Sequence, residues 1–164
     1  MVRPVPEVTP RPDVAAALEA LQAGRATEAE AICRRWLNAE PDAVEALRLL
    51  ARALSQLSRF DEAEQSVRAA LVRRPDWAPL HEDLGSILAG QRRYDEAVAS
   101  FRSALQFDPS LPLAGKKLGQ ALAALGHGTE ADAAFETWFG QSQDRASVVV
   151  ALDHLQAGRH DDAV

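Results

Sequence analysis

The 164-residue chain is poor in the residues that most often carry chemistry or anchor a core. It has one cysteine, one methionine, one tyrosine and two lysines, and aromatics make up 5%. A lone cysteine, Cys33, excludes an internal disulfide and is too few for a structural zinc site. No apolar run approaches the roughly 20 residues that a membrane-spanning helix needs; the most apolar stretch, residues 148–152, is far shorter. The first eleven residues, MVRPVPEVTPR, contain three prolines and no apolar core of signal-peptide length. Positive charge is also scarce: 18 Lys plus Arg stand against 24 Asp plus Glu, a net of −6. That balance argues against nucleic acid or an anionic membrane as partner. The expectation is a cytoplasmic protein without membrane insertion. What the chain has in quantity is alanine, 32 residues, within a 47% hydrophobic composition. Alanine is the best helix former and adds little bulk, so closely packed helices are expected. Sixteen arginines against two lysines, with so much alanine, suggest a GC-rich bacterial genome.

The alanines are not scattered. Ala29, Ala63, Ala97 and Ala131 are spaced 34 apart, and each follows a glutamate: Glu28, Glu62, Glu96 and Glu130. Pro41, Pro75 and Pro109 keep the same period, as do Gly85 with Gly119 and Phe101 with Phe135. A fixed period of this length signals a repeat architecture. Each unit reads as two helices. In the third, Leu80, Leu84, Ile87 and Leu88 form one helical stripe, which Gly90 and the polar Gln91-Arg92-Arg93 interrupt. A second stripe runs through Ala97, Val98, Phe101, Ala104 and Leu105 and stops at Asp108-Pro109, because the residue before proline is pushed out of the helical region. Asp95 and Glu96 suit the positive end of that second helix. Gly85, Gly119, Ala17 and Ala51 are small where the first helix must meet its partner. Ala63 and Ala97 are small where the second meets the first, and a bulky residue there would overpack the crossing.

These positions resemble the tetratricopeptide repeat. Leu84-Gly85, Tyr94, Ala97, Phe101, Ala104 and Pro109 carry the likeness in unit three. Leu118-Gly119, Ala131 and Phe135 carry it in unit four, and Leu50-Ala51, Phe60, Ala63, Ala70 and Pro75 in unit two. Unit one is looser, with Ala17, Gly24, Ala29 and Pro41; Trp36, like Trp138 in unit four, stands where the family usually has alanine. The resemblance implies an all-α fold, a right-handed superhelical α-solenoid of antiparallel helix pairs. The expected division is an extended N-terminal arm over 1–9, repeats over 10–43, 44–77, 78–111 and 112–143, and a partial fifth repeat over 144–164. Residues 148–159 match residues 14–25 at eight of twelve positions, and the chain stops early in that fifth unit's second helix. The expectation is a piece of a longer protein, whose last apolar helix could pair with a second copy.

By the same resemblance the first helix of each unit lines a concave groove. The inward positions then include Arg11, Val14 and Leu18; Glu45, Arg48, Arg52 and Gln56; Glu82, Ser86 and Ala89; and Lys116, Gln120 and Ala123. Arg48 and Arg52 are four apart and share a helical face, and Glu82 and Lys116 occupy the place equivalent to Arg48 in the next two units. The groove would be locally basic, with one acid in it, and would grip an acidic side chain or C-terminus of a protein or peptide partner. The alternative is that these arginines are solvated or pair with Glu45 or Glu82. The Lys/Asn set with which some members of the family clamp a terminal carboxylate is missing: Val14 and Leu18 stand in its first two places.

No catalytic constellation, phosphate-binding loop or cofactor motif is apparent. His154 and His160 are six apart, off the same-face helical spacing, and Cys33 stands where unit three has Phe101, the place of a buried apolar residue. The expected function is a non-enzymatic interaction module. Two alternatives stand beside it. One is an array that positions substrate for a catalytic domain, since LQAGRATEAEAICRRWL and the LQAGR restart resemble repeat arrays ahead of bacterial sulfotransferase domains. The other is a self-assembling scaffold.

Overall fold

The computed structural model describes residues 12–111 and 113–141. Eight helices make up these residues: α1 Pro12–Gln22, α2 Ala26–Ala39, α3 Val44–Gln56, α4 Phe60–Arg73, α5 Ala78–Gly90, α6 Tyr94–Phe107, α7 Ala114–Ala124 and α8 Gly128–Gln141. They form an all-α solenoid of helix pairs. The N-terminal arm, Arg11 and the partial fifth repeat lie outside the described residues.

Each pair turns on one left-handed residue. Gly24 (φ 72°), Ser58 (φ 59°), Arg92 (φ 63°) and Gly126 (φ 80°) stand 34 apart. The amide of the following residue closes the turn onto the first helix: Arg25 donates to the Ala20 carbonyl, Arg59 to Leu54, Arg93 to Leu88 and His127 to Leu122. This is a Schellman-type stop, in which glycine is the unstrained choice; Ser58 and Arg92 hold the same conformation at a cost of about 1 kcal/mol or more each. Gly90, read from the sequence as a helix breaker, is the last residue of α5. Its missing side chain serves a close approach instead: a Cβ there would lie 2.5 Å from the Phe60 ring.

Within the pairs, small residues face large ones. A Cβ on Gly85 would lie 2.6 Å from the Phe101 ring, and one on Gly119 would lie 2.8 Å from Phe135. The equivalent residues one and two units before Gly85 are Ala51 and Ala17, opposite Val67 and Cys33 in the places of Phe101; all four are buried. Where the first helix carries a methyl group, the second therefore gives up a ring. Burial, with a smaller push from Asp13, raises the Cys33 thiol to about 11, so this cysteine is an inert core residue. Trp36 fills a buried place that alanine holds in units two and three, and its indole N–H has no hydrogen-bond partner.

Successive pairs pack chiefly through the second helix of one on the first helix of the next, α2 on α3, α4 on α5 and α6 on α7; the first helices also meet one another, α1 on α3, α3 on α5 and α5 on α7, and the second helices do not do so to that degree. The odd-numbered helices therefore line the tighter, concave side. Charged side chains tie the turns together along another edge. Arg59 donates to both Glu30 carboxylate oxygens (2.8 Å) and to Glu62 (2.6 Å). Arg93 repeats this with Glu64 (2.7 Å) and Glu96 (2.6 Å), and Arg25 begins the series with Glu28 (2.8 Å). Arg34 and Arg68 reinforce Glu30 and Glu64 from their own helices. At the fourth turn the series weakens: His127 stands in the arginine's place, 3.6 Å from Glu130, and Val98 replaces the second glutamate.

Burial pushes the Glu30 and Glu64 carboxyls up, but their arginine hydrogen bonds outweigh it and hold both below the usual range. Glu62 and Glu96 are lowered chiefly by the hydrogen bonds from Arg59 and Arg93. A carboxyl lowered on folding, from an ordinary value of about 4.3, contributes stability above that pH and loses it as pH falls through the folded value. The urea unfolding midpoint is therefore expected to drop between about pH 5 and pH 3, and to drop less in a Glu30→Gln, Glu64→Gln variant. Equal drops in the two proteins would show that acid acts elsewhere.

Candidate functional site

The concave face over α3, α5 and α7 carries two adjoining hollows. One, of about 190 Å³, is lined by Arg52, Ser55, Gln56, Asp83, Ser86, Ile87 and Lys117. The other, of about 400 Å³, is lined by Ser86, Ala89, Tyr94, Phe101, Lys117, Gln120, Ala121 and Ala124. Ser86 and Lys117 form the wall they share. Five of the residues expected in the groove, Arg52, Gln56, Ser86, Ala89 and Gln120, line these hollows. Gln56 also donates to the Leu21 carbonyl across to α1 (3.3 Å).

Four other expected residues, Arg48, Glu82, Glu45 and Lys116, are placed differently. Arg48 is half-buried and its Nε donates to Asp83 (2.6 Å), while its guanidinium lies 5.3 Å from the Trp77 ring centre. The Arg74 guanidinium also lies over the Trp77 ring, at 4.5 Å. Glu82 accepts from Lys117 (2.6 Å), and Lys117 also donates to the Ser86 hydroxyl (3.0 Å). Glu45 is exposed and 4.0 Å from Arg74. Lys116 is not on the floor of either hollow: its ammonium lies 5.7 Å from the Trp138 ring centre on α8.

Asp83 and Lys117 went unnamed in the sequence reading, and a single offset explains both. Equivalent residues are 34 apart, but neighbouring first helices touch at a spacing of 35. Arg48 meets Asp83, Glu82 meets Lys117, and Leu21 meets Gln56. A search for complementary charges at i and i+35 would have found both pairs.

The offset changes the electrostatics. Arg48, Arg52 and Lys117 face Glu82 and Asp83, so the patch is 3 − 2 = +1 rather than a basic cluster with one acid. Arg52 is the cation left over: it is half-buried and makes no hydrogen bond or ion pair among the described residues. Asp83 has a side-chain exposure of 12%, and its burial raises the carboxyl against the pull of Arg48 and Arg52. Among the described residues, no group of three or more His, Cys, Asp or Glu is placed to hold a metal ion, and no helix is long and apolar enough to cross a membrane.

The geometry separates structural charges from exposed ones. Asp83→Ala strands a half-buried guanidinium and is expected to cost about 1–3 kcal/mol in urea unfolding. Glu45→Ala, at a long exposed contact, is expected to cost less than about 0.5 kcal/mol. Equal losses would contradict the assignment of Asp83 as Arg48's partner.

Comparison with known proteins agrees with this architecture. A profile of the family described as Tetratricopeptide repeat matches residues 14–78 and 50–112. The crystal structure of TTC0263, a thermophilic TPR protein of Thermus thermophilus, is 20% identical, with a TM-score of 0.79 over 90% of this chain and 81% of that one. A crystal structure of MamA is 19% identical, with a TM-score of 0.75 over 88% and 84%. The Thermobaculum terrenum O-GlcNAc transferase, solved as its K341M mutant, is 29% identical with a TM-score of 0.65; the match covers 67% of this chain and 21% of the transferase. No curated protein sequence matches the chain significantly.

Proposed function

Since the chain belongs to the tetratricopeptide repeat family, we propose that it is a protein-interaction module that holds an extended segment of a partner protein in the groove over α3, α5 and α7. Repeats of this family typically mediate protein–protein interaction, and the concave row of first helices offers the surface. The observation that carries the reading is Arg52, a half-buried cation that lines a hollow and makes no hydrogen bond or close ion pair among the described residues. A bound carboxylate would give its guanidinium a forked, charge-assisted partner beside polar Ser55, Gln56 and Ser86. The expected partner is therefore acidic at one point of contact.

A second reading draws on the O-GlcNAc transferase, a fifth of whose chain is covered by the match. There the groove would position a polypeptide for a catalytic domain on the same chain. That transferase is not a sulfotransferase, so the sulfotransferase-type likeness rests on the repeats alone.

The groove assignment is tested with peptides selected by phage display on the immobilised chain and mapped by NMR. Selected peptides are expected to shift the amides of Arg52, Ser86, Lys117 and Gln120, and Arg52→Glu to weaken them by about tenfold or more. Shifts confined to the outward faces of α4 and α6 would contradict the groove assignment.

A further inference from the structure

The two hollows differ in chemistry, and together they specify more than an acidic partner. Resting on the groove reading above, we infer that they recognise a single acidic side chain and an apolar side chain two residues from it, within an internal stretch of an extended peptide.

The acid is limited to one by charge. Arg48 is held by Asp83 and Lys117 by Glu82, which leaves Arg52 to meet a ligand. A guanidinium matches one carboxylate in a forked geometry. A second acid on the ligand would face Glu82 and Asp83 and be repelled. A run of acids, which a basic groove would favour, is therefore selected against.

The apolar subsite follows from a change of one helix-contact pair between units. Gly90 in unit three lets the Phe60 ring of unit two pack directly on α5. The equivalent pair one unit on is Ala124 and Tyr94, and there the same place is an open hollow of about 400 Å³. Its wall combines the Tyr94 and Phe101 rings with Ala89, Ala121 and Ala124, a lining suited to an aliphatic side chain. In an extended chain, side chains two residues apart point to the same face, about 7 Å from each other. Adjoining hollows with a common wall at Ser86 and Lys117 suit that arrangement. The hollows sit over three successive first helices, so a bound strand continues past both, and a chain end is not required.

The test is an NMR titration of the whole chain with an acetylated, amidated heptapeptide carrying one glutamate and one leucine two residues apart in an alanine and serine background. Glutamate to glutamine and leucine to alanine in the peptide are each expected to weaken binding about tenfold. Replacing the flanking residues by glutamates is expected to weaken it further. Arg52→Ala should erase the acid–amide difference and keep the preference for leucine. Ala124→Leu, at an exposed position, should erase the leucine preference and keep the acid–amide difference. Tighter binding of the poly-glutamate peptide, a requirement for a free C-terminus, groove shifts indifferent to the acid, or no shift at all would each overturn the two-subsite inference. Shifts on the α4 and α6 faces instead would overturn the groove reading beneath it.

Discussion

The close crossing of the two helices in each pair is the constraint on which the rest of the structure depends. Its expression changes along the chain while its sum holds: Ala17 with Cys33, Ala51 with Val67, Gly85 with Phe101 and Gly119 with Phe135. Each pair supplies bulk from the second helix and room from the first. In units three and four the room is absolute, since a single methyl group on Gly85 or Gly119 would enter the opposing ring. Interiors packed to crystal-like density transmit such misfits rather than absorb them. The helix-pair spacing in turn fixes how the first helices line up, and that line is the concave surface.

Two charge patterns are laid over this frame. Along the turns, Arg25, Arg59 and Arg93 each begin a second helix and join it to a glutamate three residues on, and the latter two also reach a glutamate of the preceding unit. Inside the groove, Arg48 with Asp83 and Glu82 with Lys117 tie α3 to α5 and α5 to α7. The first pattern joins units through exposed or half-exposed groups, where single pairs contribute little and networks contribute more. The second uses nearly all of the groove's charge internally. What remains is Arg52 beside a hollow that an Ala–Tyr pair leaves open where a Gly–Phe pair closes it, and these two features give the surface its selectivity.

The helical pairs were legible because 34-residue spacing and apolar stripes report the same burial from two directions. The small residues at the crossings were legible for the same reason: alanine and glycine recurring in register have a packing cause. The left-handed turn at Ser58 and Arg92 was hidden, since neither residue advertises that conformation, and Gly90 drew attention two residues too early. The groove was half legible. Arg52, Gln56, Ser86 and Gln120 followed from the helical face, but contacts between neighbouring first helices run at 35 residues, one more than the repeat. Counting in units of 34 therefore brought Lys116 forward in place of Lys117 and passed over Asp83. Glu96, which suits the positive end of its helix, is also the acceptor for the arginine that begins that helix, as Glu28 and Glu62 are in units one and two.

The most direct test of the central claim is a double-mutant cycle on Gly85→Ala and Phe101→Val, which transplants the Ala–Val pairing of unit two into unit three. Gly85→Ala alone should lower the urea unfolding free energy by about 1–3 kcal/mol, and Phe101→Val alone should also destabilise by opening a cavity. Together they should lose clearly less than the sum, with a coupling of about 1 kcal/mol or more. Strictly additive losses would contradict the account, because they would mean that the size of one residue does not set the room for the other.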